Sequence, residues 1–262
     1  MAKKIKRIGQ TTVWIIFAIV LVIAIILLIY FLKDVNLITP PIADAPFEMQ
    51  SFLQGCTGKS VLESVDIMLP QAGFIQPRNA VRFDGGDVEY ICETFQYYDP
   101  CVQQHPMLLN EMEMEIKNYI LDDIRNCFDE MEEEFEERGW DMNFVSPLEF
   151  DVKLKTGKVV LDITKGTIIE SGEDKKTFDS FHIEILSPVY DLAVVALEIA
   201  SQEGNPNRCY FEHVGYSLTY PRYKIDMYGL FADGTKVYTI NDKKSGKFMR
   251  IATRSCVVPR GV

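Results

Sequence analysis

The spacing of apolar and polar residues divides the chain into segments of different period. From Val13 to Leu32 every position is uncharged and nearly every one is apolar. Twenty residues at about 1.5 Å each reach about 30 Å, the hydrocarbon thickness of a bilayer, so this run predicts a transmembrane helix. Residues 33–46 end in Thr39-Pro40-Pro41-Ile42-Ala43-Asp44-Ala45-Pro46. Proline favours extended polyproline II, which predicts a semi-rigid stalk. Residues 47–69 then place Phe52, Leu53, Cys56, Val61, Leu62, Val65 and Leu69 at helical intervals. Gly55 and Gly58 predict a kink in that helix, and Pro70 and Gly73 its end.

Residues 74–106 read as irregular with short strands, among them a turn at Asp84-Gly85-Gly86-Asp87 and a strand over residues 88–92. The clearest helical period runs from Met107 to Arg138 through Leu109, Met112, Ile116, Ile120, Ile124, Cys127, Met131 and Phe135, and stops at Gly139. The other faces of this helix are acidic. The period then becomes two. Residues 148–154, 159–169 and 178–186 read as an antiparallel meander with one buried face, joined by turns at Thr156-Gly157-Lys158 and Ser171-Gly172-Glu173-Asp174. Residues 190–201 are a short apolar helix bracketed by Asp191 and Glu198, a core helix and not a second span. Strands at 224–228, 236–240 and 248–252 come next, with turns at Asp233-Gly234 and Lys244-Ser245-Gly246.

These elements predict an α+β protein with one N-terminal transmembrane helix. Its ectodomain is antiparallel strands packed with helices, including one long amphipathic acidic helix. The expected organisation is a basic cytoplasmic segment at 1–12, the transmembrane helix at 13–32, the stalk at 33–46 and an extracytoplasmic domain at 47–262.

Charge sets the direction. Lys3, Lys4, Lys6 and Arg7 precede the span, and the positive-inside bias puts the N-terminus in the cytoplasm and the remainder outside. Those four basic residues leave 23 of the 27 for residues 33–262, against 38 acidic residues, a net charge of −15. So acidic a surface argues against nucleic acid as a partner. The partners expected are the lipid bilayer through residues 13–32, and the protein itself or another surface protein. All six cysteines, Cys56, Cys92, Cys101, Cys127, Cys209 and Cys256, fall in the exported part, where an even number reads as disulfides. Spacing alone allows 15 pairings. The favoured arrangement closes a short loop with Cys92–Cys101, joins two helices with Cys56–Cys127 and leaves Cys209–Cys256 in the C-terminal third.

Arg7-Ile8-Gly9-Gln10, directly ahead of the apolar run, resembles the class III signal of archaeal pilin-like proteins. The resemblance covers the N-terminal segment only. It implies cleavage after Gly9, leaving Gln10 first and the apolar helix as a filament core. The sequence departs from that pattern at Ile8, where a second basic residue is usual, and at Trp14, where many pilins carry Glu. More loosely, this start resembles uncharacterised single-pass membrane proteins of small-genome archaea. A cleaved secretory signal is a third fate, although its small-residue site, Ala43-Asp44-Ala45, lies well past the run.

Catalytic and metal motifs are weak throughout. Gly55-Cys56-Thr57-Gly58-Lys59-Ser60 ends like a phosphate-binding loop, but Leu53 occupies the place of the first glycine and a helix precedes it. His105, His182 and His213 lack ligand spacing, and His182 alternates as a sheet-face residue. The acidic pairs in Asp84-Gly85-Gly86-Asp87 and Asp122-Asp123 lack the oxygen spacing of a calcium loop. No catalytic, cofactor or metal residue is therefore assigned. The expected function is a structural or binding role at the cell surface. A pilin-like filament subunit is the alternative, and a surface-attached enzyme a third possibility.

Overall fold

The computed structural model describes residues 20–23, 45–96, 99–172, 174–206, 210–229 and 233–256, with backbone alone for 45–48. It separates into two compact units, Met1–Pro41 and Ile42–Val262. In the first, only residues 20–23 are described; they are helical and about half exposed. The rest of the span at 13–32, the stalk up to Asp44, and Gly9 and Gln10 lie outside the described residues. Among the described residues, no helix is long and apolar enough to cross a membrane.

The second unit is mixed α+β. Helix α1 covers Ala45–Met68, two residues into the expected stalk. Pro46 suits a first helical turn, where its missing N–H is not needed. Helix α1 continues through Gly55 and Gly58 without interruption. Neither glycine faces a neighbour, and Thr57 Oγ1 donates to the Leu53 carbonyl at 2.7 Å within the same turns. The segment resembling a phosphate-binding loop is therefore plain helix.

Helix α2 spans Leu108–Glu137 and buries Leu108, Met112, Ile116, Ile120, Ile124, Cys127, Phe128, Met131 and Phe135 along one stripe. Its end shows why Gly139 stops it. Gly139 takes φ 83°, its N–H donates to the Glu136 carbonyl (2.9 Å), and Trp140 N–H donates to the Phe135 carbonyl (3.1 Å). Trp140 then packs on Phe135 with centroids 5.0 Å apart, the apolar contact that closes such a motif.

Two sheets complete the unit. The smaller is built on β6 (Lys158–Ser171), with β7 (Asp174–Leu186) along one edge. On the other edge β5 (Glu149–Lys155) and β4 (Asp141–Phe144) take successive halves. The larger holds β1 (Ala80–Phe83), β2 (Gly86–Glu93), β8 (Tyr223–Gly229), β9 (Thr235–Asp242) and β10 (Phe248–Arg254) in the order β1-β2-β10-β9-β8, with β3 (Val102–Gln103) on β2. Its β2–β10 pair is parallel, a departure from the antiparallel expectation. The chain between those two strands makes all of α2 and the smaller sheet, so no hairpin constrains their direction.

Helix α3 (Val189–Glu203) is buried on most sides between strands of both sheets, the setting that its all-round apolar character requires. A short helix α4 (His213–Thr219) precedes β8 and buries none of its residues. Helix α1 lies against β7, where Gln50 Nε2 donates to the His182 carbonyl (2.7 Å) and Gln54 Nε2 to the Glu184 carbonyl (3.3 Å). Glutamines one helical turn apart match carbonyls two strand residues apart, so α1 satisfies an otherwise open sheet edge.

Candidate functional site

Four loops meet around a cavity of about 480 Å³: the β5–β6 turn, the β7–α3 junction, the segment before β8 and the β9–β10 turn. Local sequence builds its floor. Asp242 opens the β9–β10 turn, accepting the Lys244 N–H (3.0 Å) and the Ser245 hydroxyl (2.8 Å), as aspartate does at turn starts. The β8–β9 register pairs Tyr223 with Asp242 and so brings Arg222 alongside. The guanidinium then grips Asp242 with two bonds, Nε to Oδ1 (2.9 Å) and Nη2 to Oδ2 (2.8 Å). Asp191, in the first turn of α3, lies 2.9 Å from Arg222 Nη2. The Asp242 side chain is 0% exposed, Asp191 9% and Arg222 35%.

Arg222 holds the Asp242 carboxyl well below the usual carboxylate range, and the two turn donors help. In return the Asp242 bonds raise Arg222. With two carboxylates, one guanidinium and Lys244 at the rim, the recess is electrically balanced. Arg222 and the two carboxylates are spent on each other, so the arrangement locks three chain segments together.

A second buried network lies behind β9. Glu203, fully buried at the end of α3, accepts the Tyr238 hydroxyl, Lys236 Nζ (2.6 Å) and the Phe211 N–H (3.3 Å). Burial, reinforced by the Glu203 carboxylate, pushes the Tyr238 phenol far up, so it stays a donor. Tyr216, packed on Phe211, is raised to about 12, chiefly by burial.

The histidines do not converge. His105 lies between two carboxylates, with Nδ1 2.5 Å from Glu111 Oε2 and Nε2 3.5 Å from Glu89 Oε1. These acids sit at opposite sides of the ring, which suits a bracket and not chelation. His213 Nδ1 is 3.4 Å from the Tyr210 hydroxyl. His182 stands on the open face of the smaller sheet, with Nδ1 2.6 Å from Asp162 Oδ1 and Nε2 3.3 Å from Glu184 Oε1. Hydrogen bonds to Asp162, then Glu184, raise its pKa above the ordinary imidazole value. Its stabilising contribution is thus complete below about pH 6.5 and is lost as pH rises through the folded-state value. At 53% side-chain exposure the solvent screens the effect, so stability is a poor readout. An NMR titration is expected to place the His182 midpoint above about 6.5 and to lower it in Asp162→Asn. An unmoved midpoint in that variant would exclude Asp162 as the cause.

Among the described residues, no group of three or more His, Cys, Asp or Glu is placed to hold a metal ion. Asp84 and Asp87 instead meet arginines, Arg250 at 2.5 Å and Arg82 at 3.2 Å. Asp84 and Gly85 take φ 49° and 83°, the left-handed pair of a tight two-residue hairpin turn. Cys56 is disulfide-bonded to Cys127 and Cys92 to Cys101, with Cα atoms 6.0 and 5.3 Å apart. Cys256 is also disulfide-bonded, while Cys209 lies outside the described residues. Among the aromatic residues of the C-terminal third, Phe211 is core, Tyr216 and Tyr223 pack on the core and Tyr220 is 52% exposed.

Neither the Arg222 clamp nor the Glu203 network is evident in the sequence. The local signal that exists is the Asp242-Lys243-Lys244-Ser245-Gly246 turn, which marks Asp242 but not its partner. No protein-family model, no curated protein and no solved structure matches the chain.

Proposed function

We propose that the chain is a single-pass, membrane-anchored extracytoplasmic protein with a structural or binding role at the cell surface. The observation that carries this reading is the Cys56–Cys127 disulfide between α1 and α2, together with Cys92–Cys101. Cytosolic thiols are generally kept reduced, so such bonds support an exported domain. The apolar run at 13–32, with its basic residues on the N-terminal side, supplies an anchor in the matching direction. The balanced, mutually satisfied clamp at Arg222 supports a scaffold or binding role over catalysis. A second reading, a pilin-like filament subunit, draws on Arg7-Ile8-Gly9-Gln10.

Mass spectrometry of the native N-terminus separates the two. A chain beginning at residue 1 or 2 is expected for the anchor, and one beginning at Gln10 for the filament subunit. A start at Pro46 overturns both in favour of a secreted domain.

A further inference from the structure

β8 is the last strand of the larger sheet, and among the described residues its outer edge is only partly covered. Along an antiparallel strand the N–H and C=O of every second residue point away from the partner. On the outward side, Tyr223 N–H donates to the Tyr220 carbonyl (3.0 Å) and Ile225 N–H to Ser217 Oγ (3.4 Å). These bonds let α4 close the first half of the edge. Met227 is the next outward residue, and its N–H and C=O meet no partner among the described residues.

Exposed apolar side chains stand beside this open edge among polar ones. Val214 and Leu218, one turn apart on α4, are 57% and 79% exposed, and Tyr228 on β8 is 49% exposed. Helix and strand edge enclose a groove of about 550 Å³. Its charges do not cancel. Lys224 pairs with Asp226 at 2.9 Å, whereas Lys243 Nζ donates to the Pro221 carbonyl at 2.9 Å, which offsets no charge. A net positive groove on an otherwise acidic domain selects an acidic occupant.

We propose that the groove between α4 and β8 binds an extended peptide segment of alternating apolar and acidic side chains, supplied by a partner protein. The free edge at Met227 offers main-chain hydrogen bonds to an added strand. Val214 and Leu218 receive its apolar side chains, and Lys243 favours its carboxylates. A second copy fits less well, because twofold pairing sets the positive rim against itself and brings together two strongly acidic domains. The inference gives the binding role proposed above a surface and a partner chemistry, and rests on that role for placing the partner outside the cell.

The test uses the full chain in detergent micelles and two fluorescein-labelled peptides, Glu-Val-Glu-Val-Glu-Val and Lys-Val-Lys-Val-Lys-Val, monitored by anisotropy. The acidic peptide is expected to bind saturably with a Kd below roughly 1 mM and the lysine peptide not to bind. Added salt is expected to weaken the acidic complex. Leu218→Glu is expected to weaken it about tenfold, and Lys243→Glu to weaken it as well. Both side chains are on the surface, so these variants keep the fold. The proposal is overturned if the acidic peptide fails to bind at that concentration, if both peptides bind alike, or if Leu218→Glu changes nothing. A dimer in sedimentation that Leu218→Glu dissociates also overturns it and assigns the groove to a second copy. The titration does not depend on where the chain begins, so its failure and a contrary N-terminal mass are separate results.

Discussion

Removing the Cys56–Cys127 disulfide by double alanine substitution is expected to lower the unfolding free energy by about 4.4 kcal/mol, while removing Cys92–Cys101 costs about 2.6 kcal/mol. The difference comes from loop length. The first bond joins residues 71 apart and the second residues 9 apart, and a longer closed loop takes more freedom from the unfolded chain. The first bond also holds α1 to α2, and α1 is the element that covers the β7 edge through Gln50 and Gln54. Urea unfolding of the full chain in detergent, read from the fluorescence of buried Trp140, measures both variants. Equal losses would show that native-state contacts, and not loop closure, set these contributions.

Arg222→Ala is expected to destabilise the domain by about 3 kcal/mol, because it strands a buried carboxylate and a largely buried one without their shared cation. The lower end of the range for buried pairs applies, since about a third of the Arg222 side chain remains exposed. Arg222→Lys recovers only part of the loss, because an ammonium cannot reproduce the two-bond grip on Asp242. The pH dependence identifies the cause. Asp242 has a depressed pKa in the folded state, so its contribution is full above the ordinary carboxylate value of about 3.9 and is lost as pH falls below it. Without Arg222 the buried carboxyl gains from protonation, so the gap between wild type and variant is expected to narrow in acid. A constant gap from pH 7 to strong acid would mean that lost packing around Arg222, not its charge, set the cost.

The elements are legible in the sequence to different degrees, for reasons visible in particular residues. Helix α2 is plain because one apolar stripe persists over eight turns and Gly139 supplies the left-handed residue its end requires. The β5–β6–β7 meander is plain because Phe150, Val152 and Leu154 alternate with charged residues across tight turns. Strands β1, β3 and β4 are too short to show a period, and α4 has no stripe because it buries nothing. Pro46, which belongs to the stalk by composition, serves in the first turn of α1, since one residue type suits both settings.

By itself the sequence determined the apolar run at 13–32, the acidic character of residues 33–262, and the major helices and strands. Each of these depends on local spacing or on composition, which neighbouring residues carry. Only the tertiary structure decided that β2 and β10 lie parallel, that Arg222 grips Asp242 20 positions away, and that Glu203 is satisfied by Lys236 and Tyr238, 33 and 35 positions on. It also decided that α4 leaves Met227 uncovered. These are pairings between distant segments, set by how whole elements pack, and no period within one segment specifies the partner in another.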